Sequence, residues 1–69
     1  MDISQKIKLA LAYVGMSEAQ LARDFGISPQ AFNQRMKNGN FTDAELKRIS
    51  KILGATYSCS FRFPDGTTF

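Results

Sequence analysis

Histidine is absent from this chain, and cysteine occurs once, at Cys59. Without histidine, the Ser-His and Cys-His pairs that activate a nucleophile cannot be assembled. One cysteine and no histidine leave a zinc-type site almost without ligands. A lone cysteine also closes no disulfide within the chain, which fits a reducing compartment. No carboxylate pair suggests acid–base work and no phosphate loop is present; Asp24, Asp43 and Asp65 read as surface or turn residues. These absences point away from an enzyme. The expectation is a domain with no metal, no cofactor and no small-molecule substrate.

Long apolar runs are missing as well. No stretch of about 18 apolar residues offers a membrane span, and the opening MDISQKIK lacks the apolar core of a signal peptide. Low-complexity segments and internal repeats are not found. The expected class is a single small soluble domain of the cytoplasm. At 69 residues it builds one modest core, so each apolar position counts. Nine basic residues against six acidic ones give a formal charge of +3 and a pI near 9.4. That balance suits a polyanionic partner without singling one out.

What the chain does contain is helical periodicity with clear punctuation. Ile3, Ile7, Ala10, Leu11 and Val14 recur at steps of three and four, which predicts a first helix over 2–14 with Asp2 or Ser4 as its cap. Leu9, Ala12 and Tyr13 form a second apolar face that is open to the C-terminal segment. Ser17 with Gln20 has a capping-box pattern and starts a second helix, whose Leu21, Ala22 and Phe25 face inward. Gly26 suits the turn that follows, where a positive φ carries no Cβ penalty; Ile27 plugs the core. Ser28-Pro29 then opens a third helix to about Lys37, with Phe32 and Met36 buried and Asn38-Gly39-Asn40 as its stop. Thr42 with Glu45 makes another capping box, Phe41 sits before it as a staple, and Leu46, Ile49, Ile52 and Leu53 form the stripe of a fourth helix. Lys47, Arg48 and Lys51 decorate that helix's outer face.

From Thr56 the period changes to two. Tyr57, Cys59, Phe61 and Phe63 alternate with Ser58, Ser60 and Arg62, which predicts a strand with one face buried. Phe63-Pro64-Asp65-Gly66 fits a type I turn that sets Thr67, Thr68 and Phe69 against Phe63, Arg62 and Phe61. Residues 56–60 are left without a strand partner by this reading. Cys59 is read as a small buried hydrophobe rather than a redox thiol.

The chemistry worth singling out lies on the third helix. Gln30, Asn33, Gln34 and Lys37 stand at i, i+3, i+4 and i+7, a single exposed stripe about two turns long. Carboxamides pair bidentately with adenine, and lysine reaches guanine or a phosphate. Such a face is the right length for one major groove. A polar helix face is more often simply solvated. What favours a function is its combination with small Ala22, turn Gly26, plug Ile27 and the Ser-Pro start. Glu18 and Gln20 are placed to meet the DNA backbone or to support a reading side chain, and the N-termini at Ser17 and Ser28 offer N–H groups to phosphate.

These residues carry a resemblance. Ser17, Leu21-Ala22, Phe25-Gly26-Ile27-Ser28 and Asn38-Gly39 resemble the pattern of Cro and lambda-repressor-like (XRE-type) helix-turn-helix proteins of phages and bacteria, over residues 3 to about 54. The resemblance implies a mostly α fold: a four- or five-helix domain over 1–55 and a short Cro-like C-terminal strand or hairpin over 56–69. It implies operator DNA as partner, with base reading at Gln30, Asn33, Gln34 and Lys37. Pro29 departs from the family's polar residue there and moves to the backbone set, with Arg35, Asn38 and Asn40 as further phosphate contacts. Small Cro-like proteins pair C-terminal strands about a two-fold axis, which makes Tyr57, Cys59, Phe61 and Phe63 the dimerisation residues of a homodimer. Packing of the segment across the first helix, against Leu9 and Tyr13, is the other outcome. The expected function is a small transcriptional regulator, a repressor, bound to double-stranded DNA. The alternative is an antitoxin-like or adaptor module that meets protein through Leu9, Tyr13 and the C-terminal aromatics.

Overall fold

The computed structural model describes residues 2–58 and 60–69. Its element order is α1 (Ile3–Val14), α2 (Glu18–Phe25), α3 (Pro29–Asn38), α4 (Asp43–Leu53), β1 (Thr56–Tyr57) and β2 (Phe61–Arg62). Among the described residues no helix is long and apolar enough to cross a membrane.

Each helix starts where its capping residue stands. Asp2 accepts from the Gln5 N–H while the Gln5 side chain returns to the Asp2 N–H. Thr42 and Glu45 repeat that reciprocal box on α4. Ser28 accepts from the Ala31 N–H at 3.1 Å, with Pro29 in the first turn. Ser17 accepts from the Gln20 N–H, but the expected capping box stops there. The Gln20 side chain runs instead along α2, donating to Asp24 and accepting from Arg23. The α2–α3 corner turns at Gly26, φ 97°, a left-handed conformation that would strain any residue with a Cβ.

The core gathers Ile7, Ala10 and Leu11 of α1, Leu21, Ala22 and Phe25 of α2, Phe32 and Met36 of α3, and Leu46, Ile49 and Leu53 of α4. Ile27 packs on it half-buried. Val14, expected inside, is 37% exposed at the end of α1. Phe41 rests on the Phe32 ring, centroids 5.8 Å apart. Ser50 is buried, with its hydroxyl donating to the Lys47 carbonyl at 2.7 Å. Burial of a polar group is tolerated because it is paired.

The C-terminal segment corrects the sequence expectation most. Residues 56–62 do not form one strand. Thr56 pairs with Arg62 and Tyr57 with Phe61 in an antiparallel sheet. The arm after Pro64 returns in the expected register: Gly66 donates to the Phe63 carbonyl, Thr68 bridges Arg62, and Phe61 and Phe69 exchange two backbone hydrogen bonds of 3.0 Å. Residues 56 and 57 thus have a partner within their own chain. Phe61 and Phe63 are fully and nearly fully buried in the core just described, so neither is available to a second copy as a dimerisation contact. Tyr57 is half-buried with its ring 5.2 Å from that of Phe61. Cys59, assigned both a core and a dimerisation place, lies outside the described residues.

The hairpin instead closes on α1. Tyr13 packs its ring 4.5 Å from Phe63 and 5.7 Å from Phe69, and its hydroxyl donates to the Asp65 carboxylate. That hydrogen bond, with the Thr67 N–H next, holds the Asp65 carboxyl below the usual range.

Candidate nucleic-acid interface

The inner side of α3 is fixed by aromatics and one arginine. Phe32 lies 6.0 Å from Phe25 of α2, edge to face, and Met36 fills the next turn. Edge-to-face ring pairs of this kind add to plain area burial. At the far end the Ser4 hydroxyl of α1 donates to the Met36 carbonyl at 2.5 Å. Gly39 and Asn40 close the helix by donating to the Arg35 carbonyl.

With that side anchored, the opposite stripe is left in water. Gln30, Asn33, Gln34 and Lys37 are all exposed. Among the described residues the side chains of Gln30, Gln34 and Lys37 have no polar partner within the chain. Asn33 differs: its Nδ2 donates to Oε1 of Glu18 on α2, 3.4 Å away and fifteen residues earlier. The four stripe residues therefore do sit together, and Glu18 joins them from the neighbouring helix.

The residues expected to hold the DNA backbone divide into two groups. Pro29, Asn38 and Asn40 are exposed along or beside α3, and Ser17 and Ser28 cap α2 and α3 at the surface. Gln20 is occupied by Asp24 and Arg23. Arg35 is taken away altogether. Its guanidinium donates twice to the Asn40 carbonyl, pairs with Glu45 and stacks 5.1 Å from the Phe41 ring centroid. A cation over a ring with a carboxylate at its edge is a good fit for planar guanidinium. Arg35 buttresses the turn after α3 rather than reaching outward. The same hydrogen bond from Arg35, helped by the Thr42 N–H, lowers the Glu45 pKa from 4.5 to about 2.

Arg48 went unrecognised in the sequence. Rather than standing free on the outer face of α4, it donates to the Phe25 carbonyl at 2.6 Å and lies 4.3 Å over the Phe25 ring. The last carbonyls of α2 lack helical partners and attract a cation. The sequence signal was only that unmet need, since nothing in the spacing of 25 and 48 shows the contact.

Two open hollows, of about 310 and 350 Å³, are lined by residues from Lys47 to Gly66 on α4 and the hairpin, with none from α3. They are separate from the polar stripe. Comparison with protein-family models, curated proteins and solved structures finds no match for this chain.

Proposed function

We propose that the α2–α3 unit is a helix-turn-helix of the Cro and lambda-repressor-like kind, and that the chain is a small transcriptional repressor of phage or bacterial type. In this reading α3 enters the major groove of double-stranded DNA. The carrying observation is the exposed stripe of three carboxamides and one lysine on a helix whose other side is locked into the core. Gln30, Asn33 and Gln34 supply donors and acceptors to base edges; Lys37 supplies charge to guanine or phosphate. In this reading Ser17, Ser28, Pro29, Asn38 and Asn40, all exposed, meet the flanking backbone. Arg35 and Gln20 are dropped from the contact set. A stripe of about two turns reads few base pairs, so a homodimer on two half-sites belongs to the proposal, with light scattering as its check.

Gel-shift titrations against random-sequence and selected duplexes test this reading. Lys37→Ala should weaken binding to both and shorten the salt slope by about one. Gln34→Ala should lower discrimination between them by roughly 1–3 kcal/mol. Neither variant differing from the unmodified protein would overturn the assignment.

The adaptor reading is favoured by a different surface. Leu9 and Val14 leave apolar side chains 38% and 37% exposed on α1. Heparin retention that falls steeply with salt supports the DNA reading; salt-indifferent association with a protein supports the adaptor.

A further inference from the structure

Of the three stripe carboxamides, Asn33 alone has a protein partner among the described residues. That partner is a carboxylate, which only accepts hydrogen bonds. An amide facing water is free to present either its oxygen or its nitrogen. An amide facing Glu18 must turn Nδ2 toward it, which aims Oδ1 away. If Glu18 takes the Nδ2 hydrogen anti to Oδ1, the other lies beside Oδ1, on the same edge of the group. That remaining edge is one donor next to one acceptor, the complement of adenine N7 and N6–H in the major groove.

We propose that Glu18 is a positioning residue that makes Asn33 the adenine-specific reader of this protein, while Gln30 and Gln34 stay adaptable. The inference rests on the DNA-binding reading. A plainer role for Glu18 also exists, because an acidic residue in the first turn of α2 suits the helix dipole. The two roles separate chemically. Glu18→Asp keeps the charge in the first turn but withdraws the acceptor from Asn33 by one methylene. Glu18→Gln gives up the charge and adds a donor at the original reach, so it no longer fixes which way the Asn33 amide faces.

Selection of bound duplexes from a random pool, with full-length protein, decides between them. The unmodified chain should show one adenine per half-site favoured on the order of tenfold, lost in Asn33→Ala. Glu18→Asp should lose the same preference at the same position, with the other positions unchanged. Glu18→Gln, which can donate as well as accept, should lose it too. A dipole role predicts that Glu18→Asp, which keeps the charge, leaves the preference as it is, and that result would overturn the inference. So would a selected motif that Glu18→Gln leaves intact. Failure of the unmodified chain to select any sequence overturns the DNA-binding reading itself and this inference with it, an outcome distinct from the other two. Side-chain amide relaxation in the free protein reads the contact without DNA. Asn33 Nδ2 should be more ordered than the Nε2 groups of Gln30 and Gln34, and equal mobility overturns the positioning role.

Discussion

On its inner side α3 presents Phe32, fully buried between the rings of Phe25 and Phe41, and Met36 beneath it. On its outer side the same ten residues present Gln30, Gln34 and Lys37, which have no polar partner among the described residues. The inner side carries little chemistry and much packing energy; the outer side is the opposite. Separation of this kind lets one short helix be held rigidly and still offer adaptable polar groups. It also means that damage to each side should be read by a different measurement.

The largest effect should come from Phe32→Ala. Removal of a fully buried ring costs about 3–5 kcal/mol, and a core in a chain below about 80 residues rarely supplies more than 3–5 in total. Phe32 is also the ring that joins α2 to the start of α4. The variant should show no cooperative thermal transition by circular dichroism. A melt close to that of the unmodified protein would mean that α3 is not held from its inner side.

An intermediate effect should come from the pair that closes the end of α3. Glu45 titrates at about 2 in the fold against 4.5 ordinarily, through its hydrogen bonds from Arg35 and from Thr42. Because the folded pKa is the lower one, the contribution of Glu45 is present above about pH 4.5 and lost as pH falls through about 2. Urea midpoints of the unmodified chain and Glu45→Gln should differ clearly at pH 7 and converge on acidification through that window. A constant gap from pH 7 to pH 2 would remove the Arg35–Glu45 pair from the account of how α3 is fixed.

Most of the inner side was legible in the sequence and much of what surrounds it was not. Helices announce themselves through local signals, so Ser17, Ser28 and Thr42 marked three of the starts, Asp2 was one of two candidates for the first, and Phe32 and Met36 marked the buried face. The break in the C-terminal strand was hidden by parity. The antiparallel pairing sets Tyr57 opposite Phe61, so these two odd residues share a face whether the chain continues or turns back. Long side chains were the other blind spot. Arg35 with Glu45, Arg48 with Phe25 and Tyr13 with Asp65 are 10, 23 and 52 residues apart. No periodicity links such pairs, and a guanidinium reaches several places from one Cα. The Glu18–Asn33 contact had the same character; only the closeness of the two helices in the expected fold hinted at it.

The smallest effect on folding should come from the outer side, and it separates the two sides most sharply. Gln34→Ala removes a side chain with no partner among the described residues and replaces it with the best helix former, so its stability should change by no more than about 0.5 kcal/mol. Asn33→Ala gives up one exposed hydrogen bond of 3.4 Å, and the gain in helix propensity of a few tenths of a kcal/mol should offset it. Both variants should therefore melt within roughly 4 °C of the unmodified protein. A loss of more than about 1 kcal/mol in either would show that the stripe is part of the scaffold, and its weaker DNA binding would no longer report on base reading. Unchanged melting with altered selection of duplexes would place the chemistry of α3 on its outer side alone.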